Sequence, residues 1–144
     1  MFVVDASVWV ARFVPVDVHH EPSRTWIRDQ AEQGRAMVAP SLLLPELAGA
    51  VARRTGKEDL AVQVVRLIQR VPRIRFVPLD ARQAHRSTTL AAEFRLRGAD
   101  AVYAALAEGL GIPLVTWDRE QLDRLGAEVT VFRPHETGFR PAPE

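Results

Sequence analysis

The sequence predicts an α/β fold in which a mainly parallel sheet of about five strands is flanked by helices. Short apolar runs of strand length recur along the chain, and segments with the apolar spacing of helices lie between them. Strands that alternate with helices in this way favour a parallel sheet. The chain has 144 residues, of which 47% are hydrophobic, so it is long enough to form one domain around one sizeable core.

The predicted elements follow one another in a regular order. Apolar runs predict strands at residues 2–4, 36–39, 74–77, 114–116 and 129–132. Helices are predicted at residues 6–13, 21–33, 42–54, 58–69, 81–97 and 101–108. Ser41 is expected to cap the third helix, in which Pro45 is tolerated only near the first turn. Asp80 is expected to cap the fifth helix, and Gly98 to end it.

Residues 1–134 are predicted to form this domain, and residues 135–144 a proline-containing C-terminal tail. From Arg133 onward the chain is poor in apolar residues, so we expect it to run over the surface or to fray. No apolar run is long enough to span a bilayer, and the first residues do not resemble a signal peptide. The sequence has no cysteine, which excludes a disulfide framework and a thiolate zinc site. We therefore expect a cytoplasmic protein without a membrane partner.

Four carboxylates occupy unusual places in this arrangement. Asp5 and Asp118 each follow a predicted strand, so both belong at the carboxyl edge of a parallel sheet, where ligands collect. Asp100 stands at the head of an apolar, alanine-rich helix that leads into the fourth strand. Glu46 lies on a stripe of leucine, glycine and alanine, where a carboxylate is costly unless another group satisfies it.

Each of these acids also has a simpler explanation. Asp5 and Asp118 could cap the helices that follow them, and Asp100 could favour a helix N-terminus by its charge. Glu46 could pair with an arginine farther along its helix, but no arginine lies at the i+3 or i+4 position. The simpler explanation is therefore weakest for Glu46.

The four acids considered together favour a metal site. If they converge, each pair at about 5 Å repels by roughly 3 kcal/mol at an effective dielectric constant near 20. A bound divalent cation reverses the sign of that interaction. Hard oxygen ligands, with neither cysteine nor histidine among them, indicate Mg²⁺ or Mn²⁺.

Three segments of the sequence resemble PIN-domain ribonucleases, and within them the VapC-type toxins of toxin–antitoxin pairs. The segments are "VVDAS" near the start, "PSLLLPELAGAVAR" in the middle and "RGADAVYAALAEGLGIPLVTWDRE" late in the chain. The late segment is the most specific, because it combines a D-A-x-Y-x-A-L-A helix with a hydrophobic strand that ends in T-x-D. The three segments occur in the family's order and span nearly the whole chain.

The resemblance implies a Mg²⁺- or Mn²⁺-dependent endoribonuclease with an acidic pocket at one end of the sheet. Its catalytic residues would be Asp5, Glu46, Asp100 and Asp118. Asp5, Asp100 and Asp118 would hold the metal, whereas Glu46 would bind it or position the attacking water. The hydroxyl groups of Ser7 and Thr116 would support the site. The resemblance also implies a cognate antitoxin protein as partner, and a homodimer.

Other residues could contact the RNA substrate. Arg53, Arg54 and Lys57 form a basic cluster below Glu46, and the two arginines could meet phosphates, although a solvated face is the preferred explanation for any one of these residues. Trp117, next to Asp118, either stacks on a base or packs within the protein. The "HHE" sequence that begins at His19 lacks the spacing of a zinc protease motif and is predicted to be a solvated loop.

Several rival functions share an acidic pocket. A response-regulator receiver needs a lysine at the end of a late strand, but the only lysine is Lys57, in mid-chain. A haloacid-dehalogenase-type phosphatase needs a second aspartate two residues after the first, where this chain has Ser7. An RNA-processing nuclease of the same fold without an antitoxin remains an alternative, as does a non-catalytic binding module. The four acids argue against the binding module.

Overall fold

The strands form one parallel sheet whose order places the first strand at its centre. A computed structural model describes residues 1–137 of the chain. The strands are β1 (Phe2–Val4), β2 (Met37–Pro40), β3 (Ile74–Val77), β4 (Leu114–Val115) and β5 (Val131–Phe132). Their order across the sheet is β3-β2-β1-β4-β5, and every neighbouring pair is parallel. The predicted α/β fold with a five-stranded sheet is therefore confirmed.

Helices connect the strands. They are α1 (Ala6–Phe13), α2 (His20–Glu32), α3 (Leu43–Thr55), α4 (Glu58–Ile68), α5 (Ala81–Phe94), α6 (Gly98–Leu110) and α7 (Arg119–Arg124). A short 3₁₀ turn at Pro134–Glu136 follows β5. No helix within residues 1–137 is both long enough and apolar enough to cross a membrane.

The strand order creates a switch point between β1 and β4. The chain first builds outward from β1 through β2 to β3, and then returns to the other side of β1 to add β4 and β5. Val3 pairs with Val38 on one side and with Leu114 on the other. In open parallel sheets, ligands bind outside the carboxyl ends of the strands at such a point.

The core lies between this sheet and its helices, and α6 is its most buried helix. The consecutive residues from Asp100 to Ala107 on α6 are all buried. Four of them are alanines, whose small side chains let the helix axis lie close to the sheet. Trp9 on α1 and Tyr103 on α6 are the largest of the fully buried side chains.

Helix α7 was not predicted, and the largest differences from the predicted helix boundaries are at the end of α5 and the start of α6. Helix α5 ends at Phe94, not at residue 97, because Arg95 adopts a left-handed conformation with φ of 53°. The turn brings Leu96 into the core, and its N–H donates to the carbonyl of Ala91 at 3.1 Å. Gly98 therefore begins α6 and does not end α5. Ser41 does not cap α3, because the N-cap residue is Leu42 and no side chain caps the helix.

The beginning of the predicted tail packs on the domain. Thr137 is buried, and its hydroxyl accepts a hydrogen bond from the indole N–H of Trp26 on α2. The same hydroxyl donates to the carbonyl of Pro134 at 2.7 Å. Residues 138–144 of the predicted tail lie outside the described residues.

Candidate functional site

Asp5 lies at the carboxyl end of β1, directly at the switch point. It is the N-cap of α1, and its Oδ2 accepts the backbone N–H of Ser7 at 3.0 Å. The same oxygen accepts the hydroxyl of Thr116, which follows β4, at 3.0 Å. Asp5 is only 3% exposed. Its capping role and its place in an acidic site are therefore compatible, because a single carboxylate serves both.

Two hydroxyl groups join the ends of β1 and β4. Ser7 Oγ and Thr116 Oγ1 lie 3.2 Å apart within hydrogen-bonding distance. The backbone N–H of Trp117 donates to Ser7 Oγ at 3.0 Å, and that of Asp118 donates to Thr116 Oγ1 at 2.9 Å. These bonds hold the turn after β4 against the start of α1. They therefore position Asp5 and Asp118 relative to each other.

Asp100 is a buried acid on the first turn of α6. Its pKa is raised from 3.8 to about 6, chiefly because burial removes the carboxylate from water. A hydrogen bond from Arg97 opposes that effect, whereas the negative charges of Asp5 and Asp118 add to it. Geometry links the three aspartates: Arg97 bridges Asp100 and Asp118, and Gln121 Nε2 lies 3.4 Å from Asp100 Oδ1 and 3.5 Å from the Thr116 hydroxyl that donates to Asp5.

Glu46 faces the same site from the first turn of α3. Its Oε2 accepts the hydroxyl of Tyr103 at 2.7 Å, so the partner that satisfies it is a tyrosine of α6 and not an arginine of its own helix. Burial raises the pKa of Glu46, and the nearby charges of Asp5 and Asp100 raise it further. All four predicted acids therefore surround one region of the molecule.

Arg97 connects two of these acids, and the sequence analysis did not identify it. Its Nε donates to Asp100 Oδ2 at 2.8 Å, and its Nη2 donates to Asp118 Oδ2 at 2.6 Å. Its side chain is otherwise open to solvent, with 68% exposure. Arg97 is the N-cap residue of α6, so the wrong boundary predicted for α5 placed it at the end of the preceding helix.

Gln121 is a second residue that the sequence did not reveal as part of the site. It is fully buried on α7, and Asp118 caps that helix by accepting its backbone N–H at 3.1 Å. Its Nε2 lies 3.4 Å from Asp100 Oδ1. Its Oε1 has no hydrogen-bond partner within residues 1–137. A buried acceptor without a partner is rare in proteins and leaves one oxygen beside the site unsatisfied.

The donor atoms of the site suit a hard divalent cation, but their present arrangement is not a metal cage. Carboxylate oxygens that repel one another and a free amide oxygen are the ligands that Mg²⁺ and Mn²⁺ prefer. Within residues 1–137, no group of three histidine, cysteine, aspartate or glutamate side chains is arranged to hold a metal ion. Arg97 supplies the positive charge between Asp100 and Asp118. Metal binding by Asp5, Asp100 and Asp118 therefore stays a prediction.

A cleft of about 530 Å³ opens beside the acids. Ser7 and Glu46 form part of its lining, and so do all three residues predicted to contact RNA, which are Arg53, Arg54 and Trp117. Arg54 forms an ion pair with Asp17. His19 also lines the cleft and stacks on Trp117, which the prediction of a solvated loop did not anticipate.

Arg97→Gln is expected to increase the affinity of the protein for Mn²⁺ by about tenfold. The substitution removes a positive charge that competes with the ion for Asp100 and Asp118, and solvent exposure of the arginine limits the gain to about 1.4 kcal/mol. Isothermal titration calorimetry would measure the affinity. Arg119→Gln is the matched control, because Arg119 is an exposed arginine at the start of α7. Unchanged or weaker binding to the Arg97 variant would contradict competition at these acids.

Asp100→Asn is expected to stabilise the metal-free protein at pH 8 by ~1–2 kcal/mol, a value that allows for partial solvent screening. Because the folded state raises the pKa of Asp100 to about 6, ionisation of this group favours unfolding. The difference between variant and wild type should shrink as pH falls through 6 and vanish below the ordinary value of 3.8. Urea unfolding in EDTA at several pH values would test this. A difference that is independent of pH would contradict it.

Comparison with known proteins places the chain in a family. The PIN domain family matches residues 2–128. The structure resembles VapC20 of Mycobacterium tuberculosis, described as a sarcin–ricin-loop-cleaving toxin, with a TM-score of 0.74 and 20% identity over 93% of this chain and 100% of that chain. It resembles FitAcB from Neisseria gonorrhoeae with a TM-score of 0.71 and 22% identity over 94% of this chain and 99% of that chain.

A third similar structure is VapBC2 from Rickettsia felis, bound to a DNA fragment from its promoter. The TM-score is 0.71 and the identity 14%, over 92% of this chain and 97% of that chain. A comparison with curated proteins gave no significant match. At these identities the similar structures show a common fold, whereas the family match extends over most of the sequence. The chain belongs to the PIN domain family.

Proposed function

We propose that this protein is a metal-dependent endoribonuclease that acts as the toxin of a toxin–antitoxin pair. The observation that carries the proposal is the convergence of four carboxylates at the switch point, two of which have raised pKa values. Such an arrangement costs folding free energy, and perturbed acids clustered in one place are typical of functional sites. PIN domains are typically nucleases, which agrees with this chemistry.

In the proposed site, Asp5, Asp100 and Asp118 hold Mg²⁺ or Mn²⁺. When bound, the ion would polarise the scissile phosphate and lower the pKa of a water molecule that attacks it. The hydroxyl of Thr116 donates to Oδ2 of Asp5 and so fixes the orientation of that carboxylate, including its other oxygen, Oδ1. Gln121 orients Asp100 in the same way through its amide nitrogen.

Glu46 and Arg97 have complementary roles in the proposal. The hydroxyl of Tyr103 fixes the carboxylate of Glu46, which either adds a ligand or orients the attacking water. Arg97 neutralises Asp100 and Asp118 before the ion arrives. Once displaced, its exposed guanidinium can bind the phosphate that approaches the site, because its planar donors match phosphate oxygens.

The toxin role rests on the similar structures and not on the geometry of the site. One of them is a toxin–antitoxin complex from Klebsiella pneumoniae, which has a TM-score of 0.64. We therefore propose a cognate antitoxin and a homodimer for this protein as well. Growth arrest on expression, relieved by co-expression of a small protein encoded next to its gene, would support the toxin. Expression of an active nuclease without growth arrest would favour a role in RNA processing.

The nuclease is tested by comparing wild type with Asp100→Asn on a panel of tRNA and rRNA fragments. Each RNA is incubated with Mg²⁺, with Mn²⁺ and with EDTA. We expect cleavage at a defined site that leaves a 5′-phosphate, requires a metal and is lost in the variant. Absence of cleavage by folded, partner-free wild type supplied with metal would contradict the proposal and favour a binding module.

A further inference from the structure

We propose that the cleft beside the acids is a nucleobase subsite in which His19 and Trp117 bind the base of an unpaired RNA nucleotide. The inference rests on the proposed nuclease function, because it assigns a place to the substrate next to the acids. His19 and Trp117 together are called the aromatic wall below. The cleft of about 530 Å³ lies within the usual range for small-molecule sites, which is roughly 300–1,000 Å³.

The aromatic wall is already a stack of two rings. The imidazole of His19 lies parallel to the indole of Trp117, with 4.0 Å between the ring centroids and 4° between their planes. This is the geometry in which a nucleobase stacks on an aromatic side chain. Both residues line the cleft, so a base that enters it can extend the stack.

Trp117 is held rigidly enough to serve as a platform. Its indole Nε1 donates to Ser23 Oγ at 2.8 Å, and its backbone N–H donates to Ser7 Oγ at 3.0 Å. Ser23 is fully buried on α2. The indole is therefore fixed to α2 and the backbone of Trp117 to α1, so extending the stack with a base requires little ordering of this side chain.

His19 is held in place through its backbone and not through its ring. Its N–H donates to Asp17 Oδ1 at 2.8 Å, and the other carboxylate oxygen of Asp17 pairs with Arg54 on α3. The Asp17–Arg54 pair thus connects the loop that carries His19 to the opposite side of the cleft. The imidazole ring stacks on Trp117 and forms no hydrogen bond with Asp17.

The opposite side of the cleft offers a cation and an apolar surface. Arg53 is exposed on α3, and its guanidinium folds back over Gly49, where an added Cβ atom would lie 3.0 Å from its Nη1. A glycine at this position therefore leaves room for the guanidinium along the cleft. Pro45 and Ala50 supply apolar lining nearby. A cleft that offers both an aromatic stack and a cation suits a base that is attached to a phosphate.

The position of the cleft favours RNA over an unrelated ligand. Ser7 and Glu46 belong both to the lining of the cleft and to the acidic site. A nucleotide with its base in the cleft would thus place an adjoining phosphate next to the acids. The aromatic wall would then favour unpaired substrates, because a base within a helix cannot leave its stack without cost.

The test measures binding of RNA separately from cleavage. All variants carry Asp100→Asn so that RNA stays intact, and fluorescence anisotropy gives the dissociation constant of a labelled uridine decamer in Mg²⁺. We expect His19→Ala to weaken binding by about 5- to 100-fold, the range for loss of one stacking contact. His19→Phe should restore binding, because it keeps a planar ring. His85→Ala, which changes a histidine on α5 remote from this cleft, is the matched control.

A second probe separates stacking on a base from a merely structural effect. The parent protein, which carries Asp100→Asn alone, should bind a decamer of the same backbone length without bases more weakly than it binds the uridine decamer. His19→Ala should not weaken binding of the probe without bases any further. If His19→Ala weakens binding of the uridine decamer but not of the probe without bases, His19 interacts with the bases. Equal affinity of the parent and of His19→Ala for the uridine decamer, or an equal loss for both probes, would overturn the subsite.

Cleavage by the protein with Asp100 intact is measured in parallel, so that the two proposals can fail separately. Cleavage by wild type without any effect of His19 on binding would overturn only the subsite. Base-dependent binding through His19 without cleavage would overturn only the nuclease. Neither binding nor cleavage of any RNA would overturn both.

Discussion

We expect Asp5→Asn to lower the rate of the proposed RNA cleavage by about three powers of ten, while the protein remains folded. The reason is that asparagine keeps the hydrogen-bonding oxygen of Asp5 but removes its negative charge. As the N-cap of α1, asparagine serves as well as aspartate, so the start of the helix is preserved. In the proposed site, however, the lost charge would weaken the hold on the metal, and stabilisation of the transition state by a metal amounts to several kcal/mol.

Single-turnover cleavage over a range of Mg²⁺ concentrations, which separates weaker metal binding from a slower reaction of the metal-bound protein, would measure this effect, and circular dichroism would verify the fold. Asp123→Asn is the matched control, because Asp123 is an exposed aspartate of α7. We expect its cleavage rate to equal that of wild type. Wild-type cleavage by Asp5→Asn would exclude Asp5 from the reaction. Loss of cleavage together with loss of secondary structure would indicate a structural role of the carboxylate.

Trp9→Ala is expected to lower the free energy of unfolding by about 3–5 kcal/mol, the range for removing a large aromatic side chain from a core. Trp9 is 0% exposed and lies on the helix that Asp5 caps. Because whole domains are stable by only about 5–15 kcal/mol, this loss should leave a measurable unfolded fraction at moderate temperature. Urea unfolding followed by circular dichroism would measure it.

Trp9→Phe is the appropriate comparison. The phenyl ring fills most of the space of the indole, and the indole Nε1 of Trp9 has no hydrogen-bond partner within residues 1–137. No hydrogen bond is therefore lost, and the phenylalanine variant should be clearly more stable than the alanine variant. Equal losses for both would show that a polar contact of the indole, and not its volume, stabilises this part of the core.

The acids could be predicted from the sequence because their positions are set by short-range patterns. Asp5 and Asp118 follow apolar runs that form parallel strands, and parallel strands end at one edge of a sheet. Glu46 stood out because a carboxylate on an apolar stripe requires a partner. The structure supplies that partner, Tyr103, whose hydroxyl comes from a helix distant in the sequence.

Arg97 and His19 could not be predicted in the same way. An exposed arginine before a glycine resembles any surface residue, and only the left-handed turn at Arg95 places Arg97 at the start of α6. That turn depends on burial of Leu96, which is a tertiary effect. His19 gains its stacking partner from Trp117, which lies across the fold. Contacts between distant segments depend on how whole elements pack, and local patterns do not contain that information.

The alanine-rich face of α6 has a consequence for how mutations would act on this protein. Asp100 and Tyr103 are three residues apart on the same helix, so a displacement of α6 moves one acid and the partner of another at once. Ala101 and Ala104 are fully buried. A single additional methyl group at either position would push the helix away from its neighbours and alter the spacing of the acids. Inactivating mutations can therefore fall on the least reactive side chains in the molecule, and a map of such mutations would trace a packing surface as well as an active site.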